Sequence, residues 1–175
     1  MLGLRQTLEP GGFVAQTNSI PNPSFYSVTR LPSPKMPTFV VTSRIGRLSA
    51  GKKMSIANTL ITIHNTENSV PRWCVQVVFH EIPAESHFIG DKTAPVDQLW
   101  INADTRPGRT VEKKSMMISR MVKEVSAASG IDESYIWVYV NEISMMAEFG
   151  TIFPPPGMEA SFAAGISDEV RQRHE

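Results

Sequence analysis

The sequence predicts an α+β domain: two β-α-β units in tandem, forming a mixed sheet with two helices on one face. Three observations carry this prediction. Short β-branched runs alternate with longer stretches of helical period. The strand–helix–strand pattern occurs once and then repeats. A crossover from a strand through a helix to a parallel neighbour is right-handed, and two of them leave both helices on the same side of the sheet.

The first unit opens after Pro37. Thr38-Phe39-Val40-Val41-Thr42-Ser43 is short and β-branched, the composition of a strand. Arg44 to Leu48 turns the chain, and Ser49 caps a helix predicted to run to Asn65. Met54, Ala57, Ile61 and His64 share one face of that helix, with Leu60 beside them. Arg72 to Ile82 reads as a long second strand that ends at Pro83, and a loop containing Gly90 and Pro95 follows. The second unit starts with the strand Leu99-Trp100-Ile101-Asn102-Ala103-Asp104 and the turn Arg106-Pro107-Gly108-Arg109. Thr110 opens a helix to Ser129, with Ile118, Met121, Val122 and Val125 on its buried face. Gly130 stops it, and Tyr135-Ile136-Trp137-Val138-Tyr139-Val140 is the last strand. Pro154-Pro155-Pro156-Gly157 closes the domain, and one short helix is expected after Ser167, where Asp168 and Glu169 suit a first turn.

A length of 175 residues fits one domain able to bury a core without staples. The 17 basic and 17 acidic side chains cancel, so no global field draws the chain to nucleic acid or to a membrane surface. The single Cys74 lies in an apolar run and has no disulfide partner, which fits a reducing, cytoplasmic setting and a packing role. No C-x-x-C, zinc-spaced cluster or H-E-x-x-H motif occurs, and no apolar stretch approaches the roughly 20 residues that span a bilayer. Residues 1–36 differ from the rest: Pro21, Pro23, Pro32 and Pro34 forbid a continuous helix, and no apolar period is present. They read as a disordered extension or an overlong gene model, with a mitochondrial transit peptide as the weaker alternative. The expected division is 1–36 as an extension, 37–153 as the folded domain and 154–175 as a C-terminal tail.

Several residues could carry chemistry. Arg106 and Arg109 place two guanidinium forks three residues apart in a Pro-Gly turn, where they can converge on one carboxylate. The start of the next helix adds orphan N–H groups nearby. The bland alternative is a pair of solvated surface arginines. Pro37 follows Met36, so a chain starting there and losing its Met exposes a secondary amine with an ordinary pKa of about 8. Beside cationic arginine it could titrate near neutrality and serve as acid or base; otherwise it is a linker proline. His64 lies on an apolar helix face, where a satisfied buried histidine is the default. Tyr139 is core or interface by default. Glu148 sits among apolar neighbours, a setting that raises a carboxyl pKa and can make a water-activating base.

Together these residues resemble the cis-3-chloroacrylic acid dehalogenase group of the tautomerase superfamily. The resemblance rests on Met36-Pro37-Thr38-Phe39, His64, the run Gln76 to Ala84, and Arg106-Pro107-Gly108-Arg109. Ile136 to Tyr139, Glu148-Phe149-Gly150 and Pro154 to Gly157 add to it. It implies that Pro37 is the proton donor or acceptor. It further implies that Arg106, Arg109 and His64 bind the substrate carboxylate, while Tyr139 and Glu148 orient and activate water. Glu148 matches only across a two-residue deletion after Glu142. The resemblance also implies a homotrimer around a central sheet barrel, a small unsaturated or keto carboxylic acid as substrate, and no metal or organic cofactor. The chain departs from the pattern in one respect: 36 residues precede Pro37, and while attached they make its nitrogen a tertiary amide. The rival expectation is therefore a catalytically silent protein of the same fold that keeps its pocket for binding.

Overall fold

The computed structural model describes residues 37–68, 70–154 and 165–174. The expectations for residues 1–36 and for Pro155 to Gly157 lie outside that set. Two β-α-β units follow one another. The first comprises β1 (Thr38–Arg44), α1 (Ala50–Asn68) and β2 (Gln76–Ile82); the second comprises β5 (Leu99–Thr105), α2 (Val111–Ser129) and β6 (Ile136–Glu142). A small hairpin of β3 (Phe88–Ile89) with β4 (Lys92–Thr93) lies between the units, a second of β7 (Ala147–Glu148) with β8 (Thr151–Ile152) comes after β6, and α3 (Asp168–Gln172) follows.

The sheet order is β2-β1-β5-β6. β1 is parallel to β2, antiparallel to β5, and β5 is parallel to β6, so the sheet is mixed as expected. Alternate residues of the central strands face the helices: Phe39, Val41, Leu99, Ile101 and Ala103 are all fully buried. Ile56, Leu60 and Ile63 of α1 and Met117, Met121 and Val125 of α2 close over them. Ile166 and the half-buried Val170 pack on the same core.

Local chemistry sets the ends of these elements. Thr110 caps α2 by accepting from the backbone N of Lys113, and Gly130 ends it in the left-handed conformation. Ser167 caps α3 in the same way through Val170. Two expectations need correcting. Met54 is exposed, and the buried stripe of α1 runs through Ile56, Leu60, Ile63 and His64. Apolar residues occur all round this helix, so its period does not select a face. β2 begins at Gln76, because Arg72–Cys74 forms a 3-10 turn that bonds Cys74 N to Pro71 O. No described helix is long and apolar enough to cross a membrane.

Candidate active site

β5 delivers the chain to Arg106, which turns into the protein and is fully buried. One of its Nη atoms donates to the carbonyl of Pro154, and its guanidinium lies 5.1 Å over the ring of Phe153. Its Nε and other Nη have no hydrogen-bond partner among the described residues. Arg109, 9% exposed, reaches back under the same turn. Its Nε donates to Oδ1 of Asn68 at 2.8 Å and its Nη1 to the carbonyl of Arg106 at 2.6 Å. Its Nη2 lies 3.5 Å from Nε2 of His64. His64 is fully buried and meets the ring of Phe39 edge-on at 5.9 Å.

Both arginines are thus buried rather than solvated, at the meeting point of the last turn of α1, strand β1 and the turn before α2. Among the described residues neither forms an ion pair. Burial holds the Arg109 pKa below the ordinary guanidinium value, an effect that Glu142 partly offsets. The Glu142 carboxylate itself pairs with Lys114 at 3.3 Å.

Pro37 is buried at the start of β1. Its carbonyl accepts from the backbone N of Gln76 at 3.1 Å. The register sets its neighbours. Thr38 pairs with Asp104 across the antiparallel side and with Gln76 across the parallel side. One step back, Pro37 lies between Thr105, which precedes Arg106, and Val75. On the Val75 side opens a cavity of about 490 Å³ lined by Trp73, Cys74, Val75, Gln76, Glu148, Phe149 and His174. Burial raises the Glu148 pKa above its ordinary 4.5. The Cys74 thiol is pushed up to about 12, first by burial and then by the nearby Glu148 charge, which leaves it an inert packing group at neutral pH.

Tyr139 stands apart. In β6 it alternates with Val138 and Val140, which pack on the core, so it points to the face of the sheet away from the helices. There it is 49% exposed and meets Trp100 edge-on at 5.8 Å. Within one chain His64, Arg106 and Arg109 come together, Glu148 lines the cavity, Pro37 starts the strand between the two, and Tyr139 does not join them.

The chain matches the family model described as "Putative oxalocrotonate tautomerase enzyme" over residues 36–163. A crystal structure of N1, a member of the cis-3-chloroacrylic acid dehalogenase family, superposes with a TM-score of 0.72 at 31% identity, covering 78% of this chain and 96% of that one. The chain belongs to the tautomerase superfamily, in its cis-3-chloroacrylic acid dehalogenase-like group. More distant structures share the fold. Native fused 4-OT aligns at a TM-score of 0.60 and 21% identity, covering 65% of this chain and 94% of that one. Leishmania major MIF2 aligns at 0.57 and 20%, covering 69% and 99%. No curated protein matches significantly.

In this member of the superfamily the sequence reading missed four residues that shape the site: Asn68, Trp73, Phe149 and His174. Asn68 had a usable signal, since it sits four residues after His64 on the same helix face. The other three come together only through tertiary packing. Among the described residues no His, Cys, Asp and Glu side chains are grouped to hold a metal ion.

Proposed function

We propose that this chain, when it begins at Pro37, is a cofactor-independent enzyme acting on small unsaturated or keto carboxylic acids. The observation that carries the reading is Arg106: a buried guanidinium with two unpartnered nitrogens and no counter-ion among the described residues. A buried charge left unpaired is costly, so a site of this kind is built to be completed by an anion. A carboxylate fits the fork of Arg106 bidentately, with Arg109 and His64 adding to the field. Bound there, the acid extends towards Pro37 on the neighbouring strand. A protonated Pro37 amine would deliver a proton to one carbon of a double bond, and Glu148 would take a proton from water attacking the other. On a halogenated alkene the hydrate collapses to a semialdehyde and halide. On an enol, neutral Pro37 would instead accept and return a proton.

Tyr139 enters this scheme only across a subunit boundary. Its sheet face also exposes Trp100 and Trp137, and the related structure R7 fused 4-OT is described as a trimer. We take this chain to be a homotrimer in which Tyr139 of the partner subunit approaches the cavity.

The test uses protein starting at Pro37 and the variant Glu148→Gln, which keeps size but removes the base. Attack of water on a cis-3-haloacrylate should fall by about two orders of magnitude or more, the usual contribution of a positioned base. Ketonisation of an enol should be largely spared. Equal loss of both reactions would mean that Glu148 acts through structure, and unchanged hydration would move the base to Glu142. A second reading rests on the 36 residues before Pro37: while attached, they leave a carboxylate-binding protein without amine chemistry.

A further inference from the structure

In the proposed carboxylate clamp, His64 and Arg109 are joined by one half-buried side chain, Asn68. It lies one turn after His64, at the end of α1. Its Oδ1 accepts from Nε of Arg109 at 2.8 Å. That bond fixes which way the amide points, because only its oxygen can accept from a guanidinium. Nδ2 is left facing Nδ1 of His64 at 3.4 Å and Sδ of Met117 at 3.6 Å. On the other side of the ring, Nη2 of Arg109 lies 3.5 Å from Nε2.

Both ring nitrogens of His64 therefore face a donor. A neutral imidazole has one accepting nitrogen, and an imidazolium has none. The ring can accept from Asn68 or from Arg109 but not from both, and the two distances are too alike to choose between them. A bound carboxylate chooses. With the proton on Nε2, Nδ1 accepts from Asn68 while Nε2–H and Nη2–H both donate to the acid, so every one of these donors has an acceptor. With the proton on Nδ1, that N–H meets the amide NH₂ head on and Nη2 is taken by the ring. Asn68 then keeps only a weak thioether acceptor among the described residues. Two donors aimed at each other inside the protein are costly, and the first arrangement avoids them.

We propose that Asn68 is a positioning residue of this site: it holds His64 with its proton on Nε2, so that His64 and Arg109 donate together to the bound acid. This rests on the carboxylate clamp proposed above but not on the chemistry of Pro37. The test is nitrogen NMR of the His64 ring, together with equilibrium binding of the unreactive probe propanoate, both on the full chain. Wild type bound to propanoate should carry the proton on Nε2. Asn68→Asp keeps an oxygen for Arg109 but offers Nδ1 an acceptor in place of a donor. The proton should then appear on Nδ1, and propanoate affinity should fall about tenfold or more. Asn68→Leu, which adds no charge, should give a mixture of the two tautomers and weaken propanoate about threefold or more. A proton on Nδ1 in the wild-type complex, or one that stays on Nε2 in Asn68→Asp, would overturn the positioning role, since a merely structural role changes affinity and leaves the tautomer alone. Arg106→Met should weaken propanoate without moving the proton of the bound form. Affinity indifferent to that change would overturn the clamp at Arg106 and not the role of Asn68, and no binding of propanoate by wild type would overturn both.

Discussion

Arg106 is a cation placed where proteins seldom leave one, and its environment makes opposite demands on folding and on binding. Removing one partner of a satisfied buried ion pair costs about 3–5 kcal/mol, but among the described residues Arg106 has no carboxylate partner to strand. Methionine keeps much of the volume and drops the charge. Arg106→Met is therefore expected to hold folding stability within about 1 kcal/mol, or to raise it, while carboxylate binding is lost. Urea melts and ligand titration check the two halves; a loss of several kcal/mol would make Arg106 a structural residue. Both arginines of the Pro-Gly turn are buried rather than solvated, so truncation would open a cavity, and methionine and not alanine is the informative change. Glu148 offers a second test. Its carboxyl pKa is raised by burial in the folded state, so the folded chain holds that proton more tightly than the unfolded one. The resulting stability is complete below 4.5 and is lost as pH rises through the folded-state value. Wild type should thus lose ground to Glu148→Gln in thermal melts as pH rises above 4.5. A difference independent of pH would mean that the carboxyl is solvated.

At the scale of elements, the sequence predicts well where local chemistry decides and poorly where packing decides. The cap at Thr110 and the stop at Gly130 bound α2 as expected, since both act through their own backbone neighbours. Gly130 has φ +71°, so Gly130→Ala should cost about 1–2 kcal/mol in a denaturant melt. Turnover per folded molecule should not change, because the glycine lies at the far end of α2 from Arg109. An unchanged midpoint would mean that the helix ends elsewhere. The buried face of α1 was not legible in the same way. Met54 and Ile56 are equally apolar, and only the position of α2 and the sheet buries one and exposes the other. The hairpins β3–β4 and β7–β8 have strands of two residues, too short to show a period. The second of them carries Glu148 and Phe149, which is why Glu148 needed the resemblance and Phe149 entered only as part of its motif, with no role at the cavity. Arg106 and Arg109 were legible as a pair because their spacing is local, although their burial was not; His64 reads from the sequence as a buried histidine and joins them only through the resemblance.

For the whole molecule, the open face of the sheet is the feature that one chain leaves unexplained. Trp100, Trp137 and Tyr139 are 39%, 41% and 49% exposed on it, an aromatic patch of the kind that marks an interface. Trp137→Glu should shift the proposed trimer to monomers in sedimentation and lower activity with it, while far-UV circular dichroism stays unchanged. A trimer that survives the charge would place the interface on another surface. The proposed chemistry depends on one nitrogen. In the full chain Pro37 N is an amide without a basic lone pair; with Pro37 first it is a secondary amine that can take and give a proton. The direct measurement is turnover of a cis-3-haloacrylate and of phenylenolpyruvate by protein starting at Pro37 and by the 175-residue chain, with the extension shown intact by mass after the assay. The predicted result is turnover by the first and none by the second. Comparable turnover by both would contradict it.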